Sequence, residues 1–227
     1  MGKAFLEVVS LVIALSSVAF GQQAFEPPQV SRAGDAYVQY YEPITDGLFV
    51  FDVAVNSNGG IERIDALRNP GAMIKAAENS VRSWQFQPAE KDNKPTASRL
   101  TVAIVYRPPD YGGAPAVPPA NFLPVIPPSQ GSGSGRGAYV PVGILSFDYP
   151  ERPANSVAWG SAIVQITVSG SGAVTDVEFL RDMHGFDGTV RRALKKWRFR
   201  PARLSGTPIS AEAVIAFVFE TATPNVP

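Results

Sequence analysis

The sequence predicts an α+β fold made of two tandem copies of a small ββαβ domain, and three observations lead to that prediction. The hexapeptide at residues 84–89 has the pattern Trp-x-Phe-x-Pro-Ala, and the same pattern recurs 113 positions later at residues 197–202. The register continues without a gap between residues 50–107 and 163–220, where 11 of 58 aligned pairs are identical. Several of these identities fall on glycine, proline and aromatic residues that fix backbone geometry, so we interpret the chain as a duplicated domain.

The first two strands of each copy are predicted from alternating apolar residues and turn signals. Residues 48–56 alternate in this way, and residues 56–60 (Asn-Ser-Asn-Gly-Gly) indicate a hairpin turn, because Asn and Gly tolerate positive φ. Residues 61–68 form the returning strand. Its apolar positions break strict alternation in both copies, which predicts a shared β-bulge.

A helix and a last strand complete each copy. Asn69 and Pro70 predict the start of the first helix, and Asp187 is the predicted cap of the second. Extended segments follow each tryptophan and are interrupted by proline, which cannot donate to a β-ladder. The last strands are predicted at residues 97–106 and 209–219. We interpret the repeated motif as core rather than as a ligand platform; its residues are Trp84, Phe86, Pro88, Trp197, Phe199 and Pro201.

The remaining segments suggest export and a linker. Residues 1–21 resemble a signal peptide, with Lys3 before an apolar stretch and Ala19-Phe20-Gly21 before a predicted cleavage at Gln22; a short uncleaved membrane anchor is the alternative. The predicted domains span residues 37–107 and 141–221. Between them, residues 108–137 are rich in Pro, then in Gly and Ser, which is typical of a stiff arm with a swivel or of a disordered spacer.

Composition excludes several kinds of chemistry. The chain has no cysteine, which removes disulfides and thiolate sites, and its formal net charge of +0 gives no general attraction to nucleic acid. No nucleophile, base and orienting group are spaced as an active site would need, and His184, the one histidine, has no second histidine to share a metal. The sequence therefore predicts neither an enzyme, nor a metal site, nor a cofactor.

The second copy resembles the TonB C-terminal domain. The resemblance rests on Tyr149-Pro150, the strand at residues 163–168, Gly172-Ala173-Val174, the helix ending at residues 193–196 and the Trp-x-Phe-x-Pro-Ala motif, and it covers residues 149–220. The first copy keeps this order more loosely over residues 41–107. The resemblance implies a periplasmic protein of the cell envelope.

The resemblance also implies a binding mode, in which the domain captures an extended segment of an outer-membrane transporter or other envelope protein as an added strand. By that analogy the last strand of each copy is the expected receptor edge, with partner-binding residues Ile209, Ala211, Ala213, Ile215 and Phe217. The apolar N-terminal stretch has no histidine, unlike an energy-coupling member, so we expect an adaptor more than an energy transducer. The alternative is a structural envelope protein whose two copies pair with each other or contact peptidoglycan.

Two charged patterns have ordinary explanations. The basic run near the second helix, which the first copy does not match, could bind lipid, lipopolysaccharide or peptidoglycan, but a solvated helix face is the simpler interpretation. Asp176 and Glu178 lie two positions apart without a matching pair in the first copy, so we expect a solvent face there too.

Overall fold

A computed structural model describes residues 25–36, 47–69, 71, 73–106, 139–153 and 156–219. The predicted signal peptide at residues 1–21 and the linker at residues 108–137 lie outside the described residues. The first unit contains β1 (Phe25–Glu26), β2 (Gln29–Arg32), β3 (Leu48–Val55), β4 (Ile61–Arg68), α1 (Ile74–Arg82), β5 (Gln85–Gln87), β6 (Ala89–Lys91), β7 (Lys94–Thr96) and β8 (Ser98–Tyr106). The second contains β9 (Tyr139–Val140), β10 (Gly143–Ser146), β11 (Gly160–Val168), β12 (Val174–Arg181), α2 (Asp187–Leu194), β13 (Arg198–Arg200), β14 (Ala202–Leu204), β15 (Thr207–Ile209) and β16 (Ala211–Phe219).

The long strands of both units form one six-stranded sheet, in the order β12-β11-β16-β8-β3-β4. All neighbours are antiparallel except the central pair, because β16 and β8 run parallel to each other. Each unit thus contributes the same three strands, and its last strand faces the last strand of the other unit. This arrangement corresponds to a two-fold rotation about an axis parallel to the central strands.

The rotation places the two helices on opposite faces of the sheet. Phe49 and Phe51 of β3 pack in the core under α1, whereas the alternate residues Leu48 and Val50 pack in the core under α2. Because strand side chains alternate between faces, each helix covers one face. Each core also takes residues from the other unit, as Val214 of β16 shows under α1. The two units therefore share two mixed cores, and the four inner strands are buried on both sides.

Segments before each unit join the halves further. Asp35 accepts a hydrogen bond from the Ser161 hydroxyl at 2.7 Å and forms an ion pair with Arg181 at 3.1 Å. Both partners lie in the second unit. In the other direction, Thr101 donates to the carbonyl of Val142 at 2.6 Å, and the two residues lie on opposite sides of the linker. Strands β1 and β2 pair with β6 and β5, so the paired structure of the first unit begins before residue 37.

The α+β class is confirmed, and the ββαβ order is confirmed in part. The long strands and helices follow it, and β5 and β13 are the predicted extended segments before each proline, while the other short strands were not predicted. The predicted bulges are present, since the register shifts after Val50 and Ala54 recur after Ile163 and Thr167, the matching positions of the second unit.

The predicted helix starts are wrong. Helix α1 begins at Ile74 without a side-chain cap, and Asn69 instead accepts a hydrogen bond from the Gly71 amide at 3.0 Å, which forms a separate turn ahead of the helix. Asp187 is the first residue of α2 rather than its cap, which is Phe186. There its carboxylate still lies in the first turn, where negative charge is favourable.

Candidate functional site

The last strand of each unit lies at the centre of the sheet. Strand β16 pairs with β11 on one side and with β8 on the other, and Ala213 to Val218 align with Thr101 to Tyr106. Strand β8 pairs with β3 on its remaining side. The expectation that these strands present free edges is wrong for this arrangement, because each occupies the backbone groups that the other would offer.

The predicted partner-binding residues are correspondingly buried. Ala211, Ala213, Ile215 and Phe217 are at most 1% exposed and belong to the core under α2. Ile209 lies in the preceding short strand β15, where it aligns with Ala202. A partner strand could pair with β16 on this side only after β8 had separated from it. The role of these residues in binding a partner stays a prediction.

Among the described strands of the large sheet, β4 and β12 have a free side. Each pairs with one neighbour, β3 or β11. Bulges interrupt both strands, and bulges are a common device against unwanted edge pairing. From Asp176 to Phe179, however, the register of β12 against β11 is regular. This stretch of β12 has the geometry that a further strand could follow.

The Trp-x-Phe-x-Pro-Ala motif lies in the cores, as predicted. Trp84 and Trp197 are 4% and 3% exposed, and Phe86 and Phe199 are 7% and 6% exposed. Pro88 and Pro201 interrupt the chain between β5 and β6 and between β13 and β14. The motif therefore holds the helix-to-strand junction against the sheet and offers no open aromatic platform.

The repeated turn glycines contact the same motif. Gly59 and Gly172 have φ values of +81° and +84°, and a Cβ on either would lie 2.4 or 2.5 Å from the carbonyl oxygen of Phe86 or Phe199. Both the positive φ and the close backbone approach require glycine. This contact explains why the glycine and the aromatic motif are retained together in the two copies.

A groove of about 580 Å³ lies beside the free edge of β12. One wall is the start of β12, the other is the C-terminal part of α2, and Leu194 and Trp197 are the buried residues along it. Three exposed basic side chains line it, Arg191, Lys195 and Arg198. Among the described residues none of the three has a carboxylate within ion-pair distance.

The neighbours of these cations are aromatic and backbone groups. The Arg191 guanidinium lies 5.1 Å from the centre of the Phe179 ring. Arg198 donates to the carbonyl oxygens of Lys195 at 3.2 Å and of Trp197 at 2.9 Å. These contacts orient the guanidinium groups without neutralising them, so the groove, with three cations and the carboxylate of Asp176, has an excess of positive charge.

The first unit has a groove at the matching place with a different charge. It is lined by the hairpin turn at residues 58–61 and by Arg82, Trp84 and Gln85. Arg82 forms an ion pair with Glu78 one helical turn earlier. Glu78 and Gln85 occupy the positions of Arg191 and Arg198, so this groove is neutralised from within its own helix.

Inside the sheet, an ion pair distinguishes the first unit from the second. Asp52, 1% exposed, pairs with Arg99, and the Arg99 Nε donates to its Oδ1 at 3.0 Å. Burial lowers the pKa of Arg99 from its ordinary value. The matching positions in the second unit are Gln165 and Glu212, which cannot form such a pair.

Glu212 instead lies near a second unpaired polar group. Its Oε2 and the hydroxyl of Tyr139 are buried and have no hydrogen-bond partner among the described residues. Burial raises the pKa of Glu212, and the charge of Glu26 raises it further. Burial, together with the negative charge of Glu212, also raises the pKa of Tyr139. Strand β16 therefore begins at a carboxylate that is destabilised when ionised.

The structure brings together no catalytic constellation among the residues it describes. No cluster of three or more His, Asp or Glu residues there could hold a metal ion. His184 is exposed in the turn before α2, the position predicted for it, and Asp176 and Glu178 are exposed on β12. In the described part of the chain, no helix is both long and apolar enough to cross a membrane.

Sequence reasoning noted the basic run but missed the groove that part of it lines. Arg191, Lys195 and Arg198 converge because α2 ends beside the hairpin of β12, a tertiary proximity that spacing alone does not give. The available signal was the charge difference between the copies at matched positions.

Comparison with known families agrees with the resemblance. The model of the family described as "Gram-negative bacterial TonB protein C-terminal" matches residues 45–108 and 146–221, so both copies are recognised. The solution NMR structure of the Pseudomonas aeruginosa TonB CTD matches with 29% identity and a TM-score of 0.32, covering 37% of this chain and 90% of that one. No curated protein matches the chain significantly.

Proposed function

Because the chain belongs to the TonB C-terminal family, we propose that it is an exported periplasmic adaptor that binds other envelope proteins by adding a partner strand to its sheet. The family is an envelope-associated family of protein-interaction domains rather than of enzymes. Outer-membrane transporters are the first candidate partners. The observation that carries the proposal is the sheet itself, which is covered on both faces and whose outer strands each have one side without a partner among the described residues.

The outer strands fit this role for a simple physical reason. A strand at the end of a sheet has backbone N–H and C=O groups without a neighbour, and an extended partner segment can satisfy them. Strands β4 and β12 are held in place by inner strands that are almost fully buried. A rigid edge lowers the entropy cost of capturing a flexible segment.

The last strands offer a second route that requires opening the sheet. A client that paired with β16 would displace β8 and uncover apolar side chains such as Val102, Val214 and Val218, each at most 1% exposed. Exposing that surface costs about 25 cal/mol per Å². We therefore favour binding at the outer strands over binding at the predicted residues 209–217.

One observation favours a different function, that of a structural envelope protein. The parallel pairing of β8 with β16 is what the scaffolding alternative requires, because it occupies the expected client edges within one chain. In that case the protein would bind no transporter. Peptidoglycan contact and association between copies of the chain belong to this alternative.

A capture experiment separates the two functions. Purified residues 22–227, immobilised through a C-terminal tag, would be incubated with a detergent-solubilised outer-membrane fraction of the source bacterium. We expect one or more transporters to be retained. Retention of none, with the protein folded on the resin, would contradict the adaptor function and leave the structural one.

A cross-link then locates the client edge. The natural chain has no cysteine, so Thr101→Cys with Ala213→Cys would place a unique pair at aligned positions of β8 and β16. We expect capture to survive oxidation of this pair, because β4 and β12 remain free. Loss of capture on oxidation and its recovery on reduction would assign binding to the last strands instead. Each single cysteine variant serves as the control.

A further inference from the structure

The groove beside β12 differs from its counterpart in the first unit in a way that the fold does not require. Both grooves are made by the same hairpin, helix end and motif tryptophan. In the first, Glu78 neutralises Arg82; in the second, the three cations have no carboxylate within ion-pair distance among the described residues. Since the hairpin, helix end and tryptophan are shared, the excess positive charge points to a ligand that only the second unit binds.

We propose that this groove binds an extended acidic peptide segment of an envelope partner, with its backbone along β12 and its carboxylates on Arg191, Lys195 and Arg198. The inference rests on the proposed function, and it names the edge and the chemical class of the partner.

The surroundings of the cations favour a peptide over other anions. The regular stretch of β12 from Asp176 to Phe179 supplies backbone groups that have no strand partner in the described part of the chain, and a lipid headgroup or a glycan would leave them unused. Val174 and Val177 are half-buried on the groove wall and pack against the core under α2, so they hold this side of β12 firmly in place. A planar guanidinium also matches a carboxylate with two parallel hydrogen bonds.

One groove residue opposes this ligand. Asp176 is the one carboxylate among the lining residues, and it is exposed. It repels an acidic segment and so provides a substitution with the opposite expected effect. Removing its charge should strengthen binding, whereas removing the cations should weaken it.

The first test measures the binding of a fluorescein-labelled peptide to purified residues 22–227 by fluorescence anisotropy. The peptide has about seven residues, in which Glu and Val alternate. We expect the triple variant Arg191→Gln, Lys195→Gln and Arg198→Gln to bind about tenfold more weakly, since exposed charge pairs contribute modestly and add. Asp176→Asn should bind two- to threefold more tightly, by about the effect of one such pair. The matched control is Arg82→Gln in the first unit, which should leave affinity unchanged.

Two further peptides separate strand pairing from simple charge attraction. The same peptide methylated at every backbone amide should lose binding, because it has no N–H group to donate to β12 from either edge, and a Lys-Val peptide should not bind. Equal binding of the methylated peptide, or equal loss in Arg82→Gln, would overturn the proposal. So would binding of phosphatidylglycerol vesicles, but not of the peptide, that depends on the three cations.

The outer-membrane capture experiment, repeated with the triple variant, keeps this inference distinct from the proposed function. We expect the variant to retain less transporter than the unaltered chain. If both retain transporter equally, the groove assignment fails and the adaptor function stands. If neither retains any, the adaptor function fails, and the peptide measurements decide the groove by themselves. All three side chains are exposed, so we expect the triple variant to keep the thermal unfolding midpoint of the unaltered chain. This measurement checks that the variant is folded.

Discussion

The two units have the same backbone and different polar groups. Both have bulges, turn glycines and motif aromatics at matching positions. In the first unit, Asp52 pairs with Arg99 and Glu78 with Arg82; in the second, the matching positions hold Gln165, Glu212, Arg191 and Lys195. The residues that fix the chain path have been kept while the charges have not. The comparison separates what the fold needs from what one unit does alone.

The largest expected loss of stability comes from replacing the motif tryptophan, which both units share. Trp84→Ala and Trp197→Ala each remove a nearly buried indole from a core, and each should lower the free energy of unfolding by about 3–5 kcal/mol. Similar losses would confirm that the motif has the same structural role in both units. Urea denaturation followed by circular dichroism measures them. A loss below about 1 kcal/mol at either site would contradict that role.

The next effect tests the difference inside the sheet. Asp52→Ala leaves Arg99 buried without its partner and should cost about 3 kcal/mol. Gln165→Ala removes a neutral side chain whose Oε1 accepts from the Val30 amide at 3.4 Å, and should cost about 1 kcal/mol. Equal costs would show that the ion pair is no more than a neutral contact. The same denaturation measurement compares them.

A pH dependence distinguishes Glu212. Its pKa is raised by burial, so its contribution to stability is present below the ordinary pKa of a glutamate and is lost as the pH rises through the raised value. Glu212→Gln should therefore stabilise the protein at pH 7 by about 1 kcal/mol and should have little effect at low pH. Thermal unfolding across a pH series measures this. Glu178→Gln, an exposed change on β12, is the control and should be neutral at every pH.

The smallest effect concerns the two indole N–H groups. The Trp197 Nε1 donates to the carbonyl of Asp148 at 2.9 Å, whereas the Trp84 Nε1 is buried and has no acceptor among the described residues. Trp197→Phe should therefore cost about 1 kcal/mol more than Trp84→Phe, since only the former breaks a hydrogen bond. Denaturation curves collected in parallel resolve this difference. The reverse order would show that the Trp84 indole has found another acceptor.

Much of the fold could be predicted from the sequence because local rules govern it. The alternation of apolar residues predicted β3 and β11, and residues that tolerate positive φ predicted the turns at Gly59 and Gly172. The break in alternation that both copies share predicted the bulges. The helix starts were wrong because Asn69 forms its own turn, which competes with capping. The small strands around each motif are too short to show a period.

The candidate binding edge was predicted less well than the fold, because local sequence patterns do not determine which distant strands pair with each other. Residues 102–106 and 213–219 are apolar at every position, a pattern typical of strands buried on both faces. A half-covered edge strand should instead alternate, and the continuous run was therefore available evidence against an edge. The groove on β12 depended on where α2 ends in space, which no spacing in the chain reveals.

The seam between β8 and β16 also sets an order of events when the protein is made. The first unit is complete once Tyr106 has left the ribosome, but the strand that covers its edge begins only at Ala211. Until then β8 is an uncovered strand with an apolar stretch at residues 102–106, which is the kind of surface that leads to aggregation. The N-terminal half must therefore be shielded, or stay incompletely folded, while the second half arrives.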